Sequence, residues 1–542
     1  MTDTAPRTQT IGDLLLRTAV EHGERTALQS HDGTVEWSWR EYAERARASA
    51  AALAGAGVHR GDTVALWLTN RPEFHVVDAG AALLGAVPFS IYATFTVEQA
   101  EHVLSDAESR ILVTEPQFLE RALAVLAGGT TALEQIVLIE GDHAGARDWQ
   151  ALLDDAPEGF DVDTAAAAVE PDDLITLIYT SGTTGPPKGV ELTHGNVIAQ
   201  ITALTAAVPL EPAQTAISWL PMAHVAERMC THYIPMALGW QVTCQPDPRE
   251  IATTLAAVRP EFFFSPPRLW QKLRSAVVAR MGSTPEPAQA LAALGLDRVR
   301  ASLVGAAPCP PDVIAFWNDL GLPLCEVYGL SETTAVATVD NPRDPRLGTV
   351  GRAVPGVEVV LSDEGEVLVR GPVIMRGYRN LPEKTAEEID PDGWLHTGDV
   401  GTFDEDGYLR IVDRMKELII NAAGKNMSPA NIEATIKSAG PLIGNVCCIG
   451  DARPYNVALI TLDPDARPAF AGREADEVAA AVERANTRLA RVEQIKRFHV
   501  IEDDWVPGGV ELTPTMKLKR KPIAEAYAAE IEGLYRTEGS GA

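Results

Sequence analysis

The chain has 542 residues, 46% of them apolar, and a formal charge of −29, so it can fill more than one hydrophobic core and as a whole repels nucleic acid and anionic membranes. Six cysteines (Cys230, Cys244, Cys309, Cys325, Cys447, Cys448) lack CxxC spacing and have no histidine at metal spacing, which excludes a disulfide framework or zinc site and leaves reduced core residues. Met1 to Gln9 has one arginine and no apolar core, so neither signal peptide nor anchor is expected and the location is read as cytoplasmic.

Ala27 to Ser30 and Thr34 to Trp37, joined through Asp32-Gly33, predict a hairpin. Ser38 with Glu41, and later Thr96 with Gln99, predict capping boxes that open helices. Between them come a strand at Val64 to Leu68, a helix from Pro72 to about Leu84 and an extended run from Val87. The most membrane-like run, Val76 to Phe95, contains Asp78, Gly80, Gly85 and Pro88, so it reads as buried helix, turn and strand; no transmembrane segment is expected, while peripheral membrane contact stays open. Strands at Arg110 to Val113 and Ile136 to Ile139 flank a helix near Phe118 to Leu126. This alternation predicts an α/β fold of parallel sheets flanked by helices.

Asp142 to Glu170 is acidic and weakly patterned, and reads as a surface excursion. It leads into the strand-like Leu174 to Ile178 and then YTSGTTGPPKGVELTHGN, Tyr179 to Asn196, with a helix expected from Asn196. Here Gly182, Gly185 and Gly189 allow close backbone approach, Thr180, Ser181, Thr183 and Thr184 supply hydroxyls, and Lys188 supplies charge. Such a loop suits phosphates. It is not a Walker loop, because Gly189 follows the lysine where Ser or Thr would bind the metal. Three further strands, Ile217 to Leu220, Phe262 to Phe264 and Leu303-Val304, each end in a small or polar turn, where open α/β sheets collect ligands. From Val357 short strands and tight turns predict a β-rich subdomain, followed by the polar stretch Asp413 to Lys416 and a smaller α+β unit.

The Tyr179 to Asn196 loop resembles the signature loop of the adenylate-forming superfamily, which includes acyl- and aryl-CoA synthetases. Four further stretches resemble that superfamily in order: Tyr328 to Thr333, Trp394 to Asp399 with Arg414, the hinge at Lys416, and Glu511 to Lys521. The resemblance implies an N-terminal domain over 1–413, with its β-rich subdomain at about 345–413, and a mobile C-terminal lid over 414–542 that turns about Lys416. It implies that Tyr328 stacks on adenine, Glu332 holds Mg²⁺, Thr333 bonds a phosphate or the substrate carboxylate, and Asp399 takes the ribose hydroxyls beside Arg414. Ala306 belongs to the adenine wall, Gly424 to the pantetheine path, and His224 lies near the acyl carbonyl and the incoming thiol. The resemblance further implies that Lys517 is the adenylation lysine, with Lys519 the neighbouring alternative; Thr515-Met516 stands where many members carry Ser-Gly.

Leu220 to Arg228 and Pro266 to Leu273 are similar to segments of the long-chain fatty acyl-CoA synthetase branch. The implied activity is ATP- and Mg²⁺-dependent formation of acyl-AMP from a medium- to long-chain fatty acid, then transfer to coenzyme A. The alternative is a fatty acyl-AMP ligase that loads an acyl carrier protein. Small-molecule substrates are expected, no nucleic acid, and a homodimer is compatible with the reading.

Overall fold

The computed structural model describes residues 9–180, 186–282, 284–342, 345–422 and 425–536. The strands Thr63–Trp67, Val87–Ser90 and Ile111–Thr114 are buried at every residue, as expected of parallel strands covered on both faces. They form the middle of an eight-stranded sheet, with Leu174–Thr180 on one side and Gln135–Leu138 and Arg147–Asp148 on the other, all parallel. Helix Pro72–Leu84 packs here; Pro72 at its first position and Gly85 in the left-handed conformation (φ 74°) delimit it as the sequence predicts. Both expected capping boxes are formed, by Ser38 with Glu41 and by Thr96 with Gln99.

The phosphate-loop region departs from expectation. A strand, Lys188–Thr193, precedes the helix, which is His194–Ala207, so the glycine-rich segment joins two antiparallel strands. The cause is the alternation in KGVELT: Val190 and Leu192 face the core while Lys188 and Glu191 are only partly covered. Gly189 is required by packing, because a Cβ there would lie 3.1 Å from the Tyr179 ring.

A second sheet runs Phe262–Ser265, Ala301–Val304, Leu324–Tyr328 in parallel, with two short antiparallel strands at its edge. A third holds the hairpin Thr26–Ser30 and Glu36–Ser38 beside Gln241–Cys244 and Thr215–Ser218. The β-rich part is a four-stranded antiparallel sheet, Glu358–Leu361, Glu366–Arg370, Leu395–Phe403 and Leu409–Arg414. Its nine-residue third strand was not foreseen, because His396-Thr397-Gly398 reads as a turn; inward-facing Leu395, Thr397, Asp399 and Gly401 alternate with partly exposed neighbours. The 142–170 stretch contains two short helices, Trp149–Asp154 and Val162–Ala167, capped by Asp148 and Asp161. Pro287 starts a helix, Pro287–Leu294.

In the C-terminal part, strands Ile443–Ile449, Asn456–Leu462 and Ile495–Ile501 form one sheet, whose last two members are parallel and linked through helix Glu474–Asn486. That helix and Pro429–Ser438 cover one face with Val478, Ala481, Ala485, Ile432 and Ile436. Burial of an isoleucine side chain contributes about 1.5–3 kcal/mol. The third strand, IKRFHVI, was not foreseen because its exposed positions carry Lys496, Arg497 and His499, the dress of an edge strand. Among the described residues no helix is long and apolar enough to cross a membrane.

Candidate active site

Thr180, Ser218, Val304 and Tyr328 each end a strand of these sheets, and the carboxyl ends of strands are where open α/β sheets usually bind ligands. Antiparallel pairing sets Asp399 opposite Arg414, and the Arg414 guanidinium lies 3.0 Å from Asp399 Oδ1. The Tyr328 hydroxyl donates to Asp399 Oδ2 at 2.7 Å. Burial raises the Asp399 carboxyl above its ordinary value, with Arg414 and Tyr328 acting against it. This joins three residues from distant parts of the chain around one buried carboxylate, with Tyr328 partly buried and Arg414 exposed.

Glu332 accepts a 2.7 Å hydrogen bond from the Tyr378 hydroxyl, and the Lys188 ammonium lies 4.1 Å over the Tyr378 ring. Tyr378 therefore separates the phosphate-loop lysine from the carboxylate. It sits on Gly377–Tyr378, a two-residue strand paired with Lys188–Thr193, and was not anticipated from sequence because 46 residues separate it from Glu332. Burial lowers the Lys188 pKa, with Glu332 and Glu388 opposing.

Lys517 ends a tight turn in which the Thr513 backbone N–H donates to Lys517 O at 2.8 Å and the Lys517 N–H donates to Thr513 Oγ1 at 3.0 Å. Met516 within it has φ 64°, a left-handed conformation natural to glycine. Lys517 remains open to solvent yet lies in a cleft walled by protein. Desolvation lowers its ammonium pKa, aided by nearby Arg414 and opposed by Asp399 and Glu332. Lys519 points elsewhere, donating to Gly509 O at 2.8 Å. The C-terminal domain meets the larger one through Lys272 on Asp465 at 2.6 Å, and through Arg268 on Asp463 at 3.6 Å and on Met516 Sδ at 3.9 Å.

His224 caps the short helix Val225–Arg228, its Nδ1 accepting from the Ala226 N–H at 3.2 Å. Burial, with Lys517 close by, lowers its pKa to about 4. Ala306 is exposed with φ 67°, directly after Gly305, where a Cβ would meet Val327. Thr333 is fully buried, and its hydroxyl exchanges hydrogen bonds with the Leu330 backbone at 2.8 and 3.1 Å. The Thr180 hydroxyl reaches Lys188 O at 3.5 Å. Lys416 is exposed in the turn Met415–Glu417, near enough to Lys188 to lower its pKa. Ser181, Gly182, Thr183, Thr184, Gly185 and Gly424 lie outside the described residues.

Buried Glu326 was also missed in the sequence, where nothing distinguishes it from a surface carboxylate. It accepts from the Cys309 N–H at 3.1 Å, beside the turn that carries Ala306, and burial lifts its pKa to about 8. Between pH 4.5 and about 8 the folded protein therefore holds a proton that the unfolded chain releases, and this term lowers stability as pH rises. Glu326→Gln removes it. The variant should gain on the parent by up to about 4 kcal/mol between about pH 5 and about pH 8, read by urea unfolding at both ends; a pH-independent difference would contradict a protonated Glu326.

The layout, a Tyr328–Asp399–Arg414 group with Lys517 of the smaller C-terminal domain near it, is that of an enzyme of two unequal domains. The chain belongs to the AMP-binding enzyme family, which it matches over residues 15–379, with the AMP-binding enzyme C-terminal domain matching over 416–539. It is 45% identical over 436 residues to fadD11 of Mycobacterium tuberculosis, named as a fatty-acid–CoA ligase, with 70% of this chain and 76% of that one covered. To the long-chain-fatty-acid–CoA ligase FadD15 of Mycobacterium bovis it is 34% identical, with 92% of each chain covered. The fold is similar to that of the anthranilate CoA ligase AuaEII with anthranoyl-AMP (TM-score 0.81, 22% identity, 97% and 99% covered). A Mycobacterium tuberculosis fatty acyl CoA synthetase gives a TM-score of 0.68 at 25% identity, with 96% and 99% covered.

Proposed function

We propose that this protein is a fatty acid–CoA ligase that activates a medium- to long-chain fatty acid with Mg-ATP and passes the acyl group to coenzyme A. The observation that carries the reading is the convergence of Lys517 from the lid on Asp399, Arg414 and Glu332. In the first step a carboxylate oxygen attacks the α-phosphate; the O–P bond forms, the bond to the β-phosphate bridge breaks, and pyrophosphate leaves. Lys517 and the phosphate loop with Lys188 offset the charge that develops there. Asp399 accepts from the ribose hydroxyls, Arg414 holds it in place, and Tyr328 and Ala306 flank the adenine.

Among the described residues no cluster of three metal-ligating side chains occurs. This suits a magnesium ion that arrives on the triphosphate and needs one carboxylate, Glu332, because Mg²⁺ keeps its waters and phosphate oxygens. In the second step the lid turns about Lys416 and the coenzyme A thiol, losing its proton, attacks the acyl carbonyl; AMP leaves. His224 lies close enough to Lys517 to stand beside that carbonyl. The substrates are small molecules met in the cytoplasm, a location favoured by the acidic composition and by cysteines that are free and buried.

Mass spectrometry of products from purified protein, Mg-ATP and a graded fatty acid series, with and without coenzyme A, tests this. Acyl-CoA peaking at one chain length is expected. Acyl-AMP accumulating despite coenzyme A would instead indicate a ligase for a carrier protein, and no AMP release with any acid would refute the activity.

A further inference from the structure

Between the strand Thr215–Ser218 and the helix Val225–Arg228, residues 219–224 have no helix or strand, and Trp219, Met222 and Ala223 among them are buried. A buried turn of this kind needs partners for its backbone polar groups. Two charged side chains of the following helix supply them. Glu227 Oε1 accepts from the Trp219 N–H at 2.9 Å, and Arg228 Nε donates to Met222 O at 3.2 Å. From the neighbouring lobe, Asn70 donates to Leu220 O at 2.8 Å and approaches Glu227 Oε1 at 3.3 Å.

Both charges are enclosed, Glu227 at 1% exposure and Arg228 at 0%. Arg228 is matched by Asp78 at 2.7 Å, and Asp78 also meets His232 at 2.8 Å. Glu227 has only neutral donors, including the Thr231 hydroxyl at 2.9 Å, and burial lifts its pKa to about 7. Buried groups of this kind add little stability and cost desolvation, so their worth lies in the geometry they impose. What they impose is the path of the turn into His224, whose Nδ1 is already engaged by the Ala226 N–H. With that edge occupied, the ring meets the cleft as an N–H. To accept a proton at Nε2 it would first have to place a second N–H against Ala226.

We infer that Glu227 and Arg228 are positioning residues that grip the 219–224 turn and hold His224 as the Nε2–H tautomer, a hydrogen-bond donor to the acyl carbonyl and not a base for the thiol. The inference rests on the proposed role of His224 in acyl transfer. It assigns the two charges of the Ala226-Glu227-Arg228 segment a purpose beyond filling the core.

The test is ¹⁵N NMR of histidine-labelled protein, with the His224 signals among those of 11 histidines assigned by their loss in His224→Asn. The parent should show the Nε2–H tautomer, unchanged from about pH 5 to about pH 8. Glu227→Leu should release the tautomer and lower kcat of thioester formation from supplied acyl-AMP about 10- to 100-fold with KM for coenzyme A unchanged, while Glu227→Gln, which keeps an acceptor, restores both. Because single loss of Arg228 strands Asp78, the double variant Arg228→Met with Asp78→Leu reports on the second grip, and should also release the tautomer. A parent His224 with its proton on Nδ1, or a tautomer unmoved in both altered proteins, would overturn the inference. Full activity of His224→Asn in both half-reactions would instead remove the role on which it rests, and would overturn it by that route.

Discussion

Lys517→Ala loses acyl-AMP formation by about 10²- to 10³-fold yet still converts supplied acyl-AMP and coenzyme A to the thioester within about threefold of the parent. The split follows from placement. Lys517 is a lid residue, brought to Asp399 and Glu332 by a turn closed through Thr513. In this arrangement the lid is fastened to the large domain by Lys272 on Asp465 and Arg268 on Asp463. In the proposed second step the C-terminal domain turns, which withdraws the lysine. Pyrophosphate release measures the first half-reaction and thioester absorbance the second. Lys519→Ala is the control, since its ammonium is tied to Gly509 O and should leave both rates within about threefold. Equal loss of both half-reactions in Lys517→Ala would sink the assignment.

Asp399→Ala should lower kcat/KM for ATP about 10²- to 10³-fold. Asp399 is 4% exposed and engages Tyr328 and Arg414 at once, so its removal leaves a buried hydroxyl and a guanidinium without their acceptor and takes away the acceptor for the ribose diol. The selective signature is nucleotide discrimination. The parent should reject 3′-deoxy-ATP by about 10²-fold relative to ATP, because a site built to bond a hydroxyl penalises its absence. Asp399→Ala should treat the two nucleotides nearly alike. Retained discrimination in the variant would place the ribose contact on another residue.

Much of the architecture was legible locally. Capping boxes at Ser38 and Thr96, and the proline and glycine limits of Pro72–Leu84, are short-range signals that tertiary packing leaves intact. The strands Lys188–Thr193 and Leu395–Phe403 escaped because glycine, histidine and threonine mimic turns, and only pairing with Leu174–Thr180 and Glu366–Arg370 makes them strands. Asp399 and Arg414 could be named from motif resemblance, but their contact with Tyr328 depends on sheet register. Tyr378 and Glu326 carry no local mark, and Glu227 and Arg228, though inside a stretch that resembles the family, read as solvated until their neighbours enclose them. The contact between Met516 and Arg268 was equally hidden.

The most direct test of the account is oxygen tracing. With both carboxylate oxygens of the fatty acid labelled with oxygen-18, one labelled atom should appear in the phosphate of AMP and the other in the thioester carbonyl, because the carboxylate itself attacks the α-phosphate. Label in inorganic phosphate with release of ADP, or AMP without label, would contradict formation of an acyl-adenylate at this site.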